Sequence, residues 1–406
     1  MKSKKLLLFV ESLPTENKNC FFESELPFLE KKFDEIVIIP LYFNNDHIIR
    51  ETSVIKVLRL DYFVSYNRLK IFLSNFRLIL RVFCNEFLKS KHRLKYCTHF
   101  FKNLNVLLMH IANAEYMKVK LQKYLTSDYL MYTYWFMQHT FSLLLLRTMY
   151  PFNFKIISRV HGKDWDEERL DYFPFRYWQY SQIDKIIPIS ECAKDYIITN
   201  FKIESNKFFV SKLGVHQGDK LSPVDADQLH IVSCSGLIPL KRVAFIAEVV
   251  SKISIPVKWT HFGDGKERKN VEDVIKSFKS DQNGILMGHV PNETYINFIS
   301  NNPVSLFINW STSEGIPVSV METIGLGIPV IAPNVGGVSE IVNSITGFLI
   351  KDTNSTVNDI ASLIEKLHQQ KDIYNAEKRL QIKEFAHTAF SDEVNYSNFS
   401  NTISAF

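Results

Sequence analysis

Glu314 and Glu322 are two carboxylates separated by seven residues, in the segment Ser313-Glu314-Gly315-Ile316-Pro317-Val318-Ser319-Val320-Met321-Glu322. Pro317 suits the first position of a helix, where a missing N–H costs nothing. The spacing therefore predicts a helix starting near Pro317, with Glu314 on the preceding loop and Glu322 in the second turn. Between them lie exposed backbone N–H groups and the positive end of a helix dipole, which together favour a phosphate. A carboxylate on either side of a phosphate can accept hydrogen bonds from sugar hydroxyls. The layout suits a nucleotide-sugar; the plain alternative is an ordinary αβ unit with surface glutamates.

The segment resembles the E-x7-E signature of retaining glycosyltransferases with the GT-B fold, family 4. The likeness continues through Gly327-Ile328-Pro329-Val330-Ile331-Ala332, Val335-Gly336-Gly337-Val338-Ser339-Glu340-Ile341-Val342 and Gly347-Phe348-Leu349. It covers most of the chain, strongest over 231–350 and weak over about 41–127. The resemblance implies an α/β protein of two Rossmann-like, doubly wound domains facing across a cleft. It also implies transfer of a sugar from an NDP-sugar, with retention and without a metal or other cofactor. Glu314 would hold hydroxyls of the donor sugar and Glu322 the ribose, with Gly315, Ile316, Pro317, Val318 and Ser319 against the donor.

A second loop, Ser235-Gly236-Leu237-Ile238-Pro239-Leu240-Lys241-Arg242-Val243, follows a strand candidate and opens a helix. Backbone amides plus two cations suit a diphosphate. Cations at a helix start are otherwise disfavoured by the dipole. The loop resembles the family's phosphate-binding loop, with Lys241 at the position of its lysine. The arginine that often precedes it is replaced by Gly236, and Arg242 is the candidate for the second charge. Gly263-Asp264-Gly265 and Gly288-His289-Val290-Pro291 each close a strand. As bare sequence each is a tight turn; the family resemblance places Gly263 and Val290 beside the nucleotide.

Earlier in the chain, Arg159-Val160-His161-Gly162-Lys163-Asp164-Trp165 follows another strand. A lone histidine there is commonly structural, but Gly162 allows backbone to approach a ligand. The stretch resembles an H-G motif of bacterial polysaccharide glycosyltransferases. That likeness makes His161, with Lys241 and Glu314, the catalytic set, and leaves Arg159, Asp164 and Arg169 as weaker candidates. Glu23 and Glu25 read as acids in a first helical turn; the alternative is the acidic E-x-E helix start of relatives without a Gly-rich loop there, which the stretch resembles. Tyr132-Thr133-Tyr134-Trp135 reads as core, or as a lining of the acceptor side. Asp164-Trp165-Asp166 and Asp225-Ala226-Asp227 have D-x-D spacing, but neither lies in the proposed phosphate loop, and no metal is expected.

The elements that must position these residues alternate between strand and helix, which predicts parallel sheets covered on both faces. Strands are expected at 6–10, 35–40, 129–135, 155–160, 185–189 and 208–213, then at 230–235, 257–262, 285–288, 304–309, 329–332 and 347–350. Ser190 is a plausible N-cap for a helix over 193–200. Helices are also expected at 243–252, 271–278, 293–300, 317–324 and 356–368. The predicted organisation is an acceptor-binding domain over 1–215, a donor-binding domain over 216–385, and a final helix over 386–406 returning toward the first.

The 406 residues are 46% hydrophobic and 22% charged, an ordinary globular composition too long for one core. A net charge of +5 gives no argument for nucleic acid. Cys20, Cys84, Cys97, Cys192 and Cys234 are scattered, which fits a reducing cytoplasm. Leu6 to Val10 is too short for a signal-peptide core. Within a helical basic insertion near 64–125, residues 68–102 hold nine Lys or Arg and a single acid, Glu86. Leu69, Phe72, Phe76, Leu80, Phe83 and Phe87 recur there at helical spacing. That stretch is either a basic amphipathic helix on an anionic membrane or a helix packed on its domain with a solvated charged face.

The expected partners are a nucleotide-sugar and a glycan acceptor. The H-G stretch suggests a lipid-linked glycan, as in assembly of bacterial surface polysaccharide (capsule, O-antigen or exopolysaccharide) in the cytoplasm, at most peripherally on the membrane. The rival readings are a GT-B phosphorylase or sugar-nucleotide epimerase, and a catalytically silent scaffold subunit.

Overall fold

A computed structural model describes residues 4–15, 21–43, 45–60, 65–90, 93–165, 173–218, 220–352 and 354–406. Cys20, Asp166, Arg169 and Lys91 lie outside the described residues. The chain divides into two compact units: residues 1–212 with 397–406, and residues 213–396.

The first unit is built on a six-stranded parallel sheet: β1 (Lys5–Ser12), β2 (Glu35–Tyr42), β3 (Ile55–Val57), β4 (Tyr129–Thr133), β5 (Lys155–Val160) and β6 (Lys185–Pro188), in the order β3-β2-β1-β4-β5-β6. In β1, Leu7 and Phe9 enter one apolar cluster while Leu6, Leu8 and Val10 enter another. A strand buried on both faces reads as a continuous apolar run, which is why β1 shows no alternation. Ser190 caps the helix Glu191–Phe201, its Oγ accepting from the Ala193 N–H at 3.1 Å.

The second unit repeats the architecture with β7 (Leu229–Cys234), β8 (Val257–Phe262), β9 (Gln282–Leu286), β10 (Leu306–Ile308), β11 (Val330–Pro333) and β12 (Gly347–Ile350), in the order β12-β11-β10-β7-β8-β9. In each sheet the connections run outward in opposite directions from a central pair, β1 with β4 and β7 with β10. Ligands of open α/β sheets bind beyond the carboxyl ends of the strands at such a switch point.

Several expectations need correction. Residues 208–213 form no strand: Phe208 makes an isolated bridge to Ile186, and the Phe209 and Ser211 N–H groups donate to the Ile186 and Pro188 carbonyls. β3 has three residues and gives no periodic signal. The strand expected at 129–135 ends at Thr133, and the one expected at 285–288 starts at Gln282.

The basic stretch is not one helix. Among the described residues four α-helices lie between β3 and β4: Arg68–Ser74, Phe76–Lys89, Arg93–Thr98 and Phe100–Lys120. The first break is at Asn75, whose side chain donates to the Ile71 carbonyl at 3.1 Å, competing with continuation of the helix. Phe83 is buried in the core and Phe72 packs against it, whereas Leu69, Phe76, Leu80 and Phe87 are exposed. The chain ends in the helix Asp392–Ser404, whose residues from Ser397 onward belong to the first unit. There Phe399 lies under the Arg159 guanidinium, 4.1 Å from its ring centre.

Candidate functional site

In the second unit the loops after β7, β8, β9, β10 and β11 leave the carboxyl edge of the same sheet and are tied to one another. The Leu237 N–H donates to the Asp264 carbonyl at 3.0 Å and the Gly263 N–H to the Gly288 carbonyl at 2.8 Å. The Thr312 N–H donates to the Leu240 carbonyl at 2.9 Å, joining the loop after β10 to the loop after β7. Gly263 requires its lack of a side chain: at φ 132° a Cβ would sit 1.9 Å from the Ser235 carbonyl oxygen. Gly336, at φ 53°, presses as closely on the Glu314 carbonyl, where a Cβ would also meet oxygen at 1.9 Å.

Lys241 closes a short 3₁₀ turn, Pro239–Lys241, and its Nζ lies 2.5 Å from Glu314 Oε1. Glu314 is buried. The same Oε1 accepts from Ser311 Oγ at 2.5 Å and from Asn309 Nδ2 at 3.4 Å. Ser311 is fixed in turn by its backbone N–H, which donates to Asn309 Oδ1 at 3.1 Å. Three donors thus converge on one oxygen of the carboxylate. Lys241 and Glu314 stand on the loops after the two central strands, at the switch point of the sheet.

Arg242 does not join this pair. It sits at the N-cap with a left-handed backbone, φ 47°, is exposed, and stacks over the Phe245 ring at 4.8 Å. Gly236 is exposed on the same loop, and Val290 is half-buried after β9.

The helix after β10 is Val318–Gly325, with Pro317 at the N-cap rather than at the first helical position. Its extended backbone, φ −74° and ψ 119°, matches a cap residue. Gly315 and Ile316 are buried beneath Gly337, while Val318 and Ser319 open the helix half-buried. Their N–H groups have no preceding carbonyl to bond within the helix. Glu322, in the second turn, accepts from Asn292 Nδ2 at 2.6 Å. Burial raises its carboxyl pKa to about 7, and the Asn292 hydrogen bond offsets part of that effect.

Sequence reasoning missed Asn309, Ser311 and Asn292. Ser311 carried a usable signal, because a hydroxyl three residues before a buried acid on a tight loop can reach it. Asn292 carried none, since it stands 30 residues before Glu322 on another element.

In the first unit His161 follows β5 and is buried. Its ring packs against Tyr134 and Trp135, with centroid distances of 4.9 and 4.2 Å. Its backbone N–H donates to Asp164 Oδ2 at 2.8 Å, and its Nδ1 lies 3.6 Å from the same oxygen. Nε2 has no hydrogen-bond partner among the described residues. Burial lowers the His161 pKa, against the pull of Asp164, and favours a neutral ring.

Arg159, two residues earlier, belongs to the interior. Its Nε donates to Glu25 Oε2 at 2.9 Å and to Tyr132 Oη at 3.0 Å, and its Nη1 donates to the Ser211 carbonyl at 2.8 Å. Glu25 is therefore the buried partner of an arginine and not a solvated acid of a first helical turn. Among the described residues no three His, Cys, Asp or Glu side chains group as metal ligands.

Paired Rossmann-like sheets, with loops gathered at the carboxyl edge of each, define the GT-B class of α/β protein. Within it, residues 220–388, in the second unit, match the family model described as Glycosyl transferases group 1. Among curated proteins the chain is 24% identical over 244 residues to the UDP-N-acetylglucosamine–peptide N-acetylglucosaminyltransferase GtfA subunit of Streptococcus agalactiae, covering 54% of this chain and 47% of that one. It is 27% identical over 191 residues to the O-antigen biosynthesis glycosyltransferase WbnH of Escherichia coli, covering 47% and 52%. The chain thus spans about half the length of these relatives. Among solved structures it is similar to the lipopolysaccharide outer core galactosyltransferase WaaB, with a TM-score of 0.67, 16% identity and 99% of both chains covered. It is also similar to Anabaena HepE in complex with UDP-glucose, with a TM-score of 0.62, 13% identity, and 99% of this chain and 100% of that one covered.

Proposed function

We propose that the protein is a retaining glycosyltransferase of family 4 that moves a sugar from an NDP-sugar to a lipid-linked glycan in bacterial surface polysaccharide assembly. The observation that carries this reading is the contact of Lys241 with Glu314 on the two central loops of the second sheet. One side chain supplies a cation for a diphosphate and the other a carboxylate for sugar hydroxyls. The relatives named for O-antigen and lipopolysaccharide core support the polysaccharide context. The UDP-glucose complex of HepE supports a nucleotide-sugar donor.

The assigned roles follow from position. Lys241, with the open N–H groups of Val318 and Ser319, neutralises the leaving diphosphate. Fixed donors aimed at developing charge stabilise a transition state without reorganisation, which is the work a metal would otherwise do. Glu314 orients the transferred sugar and Glu322 the ribose. The first unit takes the acceptor, and His161 is assigned a supporting role in the transfer. No side chain is assigned as a covalent nucleophile, so retention calls for attack on the face the phosphate leaves, guided by that phosphate.

The test is a thermal-shift panel of nucleotide-sugars, followed by transfer to a lipid-linked acceptor with chelator present. Stabilisation by one donor, and a product whose anomeric configuration matches the donor's, are expected. Inversion, a strict divalent-ion requirement, or isomerisation of the donor without acceptor would overturn the assignment.

A further inference from the structure

The loops after β7 and β10 are tied by more than Lys241 and Glu314. Phe245, in the first turn of the helix Val243–Lys252, stacks on Trp310, with ring centroids 4.8 Å apart and planes inclined by 11°. Trp310 is buried in the core of the second unit, and Phe245 is half-buried against that core. In sequence Trp310 stands between Asn309 and Ser311, whose side chains donate to Glu314 Oε1 at 3.4 and 2.5 Å. A flat pair of rings has a defined tilt as well as a defined separation, which an aliphatic contact lacks. The helical turn that bears Phe245 begins directly after Lys241 and Arg242. The stack therefore links the backbone beside Lys241 to the backbone that aims Glu314.

Arg242 supports the same ring. Two local rules oppose an arginine at this position. Its φ of 47° strains a residue with a Cβ, and a cation at a helix N-terminus meets the positive end of the dipole. Its guanidinium lies 4.8 Å from the centre of the Phe245 ring, where attraction to the aromatic face offsets part of that cost.

We infer that Phe245 is a positioning residue for Glu314: its ring, steadied by Arg242, sets the tilt of Trp310, and Trp310 sets Asn309 and Ser311, the donors that aim the carboxylate. Phe245 is assigned no contact with either substrate. The inference rests on the role proposed for Glu314 and adds the means by which that side chain is held. A displacement of about 1 Å at an orienting group can cost about a hundredfold in rate, so the packing behind the carboxylate matters to turnover.

The experiment measures kcat with the donor that stabilises the protein in the thermal-shift panel, and affinity for free UDP and GDP by calorimetry. Phe245→Leu should lower kcat about tenfold with diphosphate affinity unchanged. Phe245→Tyr, which keeps the ring, should restore most of the rate. In a Glu314→Gln background Phe245→Leu should cost almost nothing, because both changes act on one carboxylate. Arg242→Gln alters an exposed side chain and leaves the core intact. It should lower kcat about threefold at an unchanged melting temperature, and this effect too should vanish with Glu314→Gln. Native turnover in Glu314→Gln would refute the proposed role of Glu314 itself. A fall in Glu314→Gln, with Phe245→Leu either harmless or equally damaging in both backgrounds, would overturn the positioning role alone. Loss of diphosphate affinity in Arg242→Gln would assign that guanidinium to phosphate instead of to the ring.

Discussion

Lys241 Nζ and Glu314 Oε1, 73 residues apart in sequence, lie 2.5 Å apart in the second unit. The side chains that the proposed chemistry gives to phosphate and to sugar therefore neutralise each other. On the proposed roles, a diphosphate would compete with the Glu314 carboxylate for the ammonium. Ser311 and Asn309 also donate to Oε1, so Glu314 has hydrogen-bond partners besides the ammonium.

This contact predicts opposite responses from its two members. Glu314→Gln frees Lys241, so affinity for free nucleoside diphosphate should hold or rise. Its turnover should fall about ten- to a hundredfold, the value of a hydrogen bond to a charged group at roughly 1.5–3 kcal/mol. Lys241→Met should lose diphosphate affinity by a similar factor. Calorimetry with the diphosphate, beside turnover with donor, reads both; a loss of diphosphate affinity in Glu314→Gln would contradict the assignment.

Ser311 should act through Glu314 without touching ligand. Ser311→Ala should lower kcat about tenfold, by the value of one charge-assisted hydrogen bond, with diphosphate affinity unchanged. Ser311→Thr, which keeps the hydroxyl, should restore most of the rate. Equal losses in both variants, or a matching fall in diphosphate binding, would reduce Ser311 to packing.

Glu322 should make donor binding depend on pH. With its carboxyl pKa near 7, the group is mostly protonated at pH 6 and mostly ionised at pH 8. The ionised form is the better acceptor for ribose hydroxyls, so affinity should rise with pH across that window. The nucleotide's own phosphate also titrates, but equally in Glu322→Gln. Titrations of both proteins at several pH values isolate the carboxyl's share, which should vanish in the variant; parallel profiles would remove Glu322 from the ribose.

Arg159 should be structural. Its guanidinium and the Glu25 carboxylate are both fully buried, with Nη2 2.9 Å from Oε2. Removing one partner of a buried pair costs about 3–5 kcal/mol. Arg159→Met should lower the melting temperature by roughly 10 °C, a shift expected for a unit of this size. A fall in turnover with unchanged melting would return Arg159 to the site.

Much of this was readable along the chain. Continuous apolar runs located most strands, Ser190 announced its helix, and the Glu314 and Glu322 spacing fixed a loop and a second helical turn. Those features depend on neighbours within a few residues, where steric and hydrogen-bonding rules act directly.

What only the tertiary structure decided concerns residues far apart. A parallel sheet sets β10 beside β7 although β8 and β9 intervene in sequence, and that adjacency brings Glu314 to Lys241. Burial, which no local pattern states, lifted the Glu322 carboxyl and withdrew Arg159 and Glu25 into the interior. The run from Arg68 to Lys102 shows the same division. Its spacing gave helix and amphipathicity, but Phe83 went to the core and Leu80 to the surface because only the fold supplies a neighbour for one side of a helix. Periodicity records which face of an element is apolar; the assembled sheet determines what, if anything, that face meets.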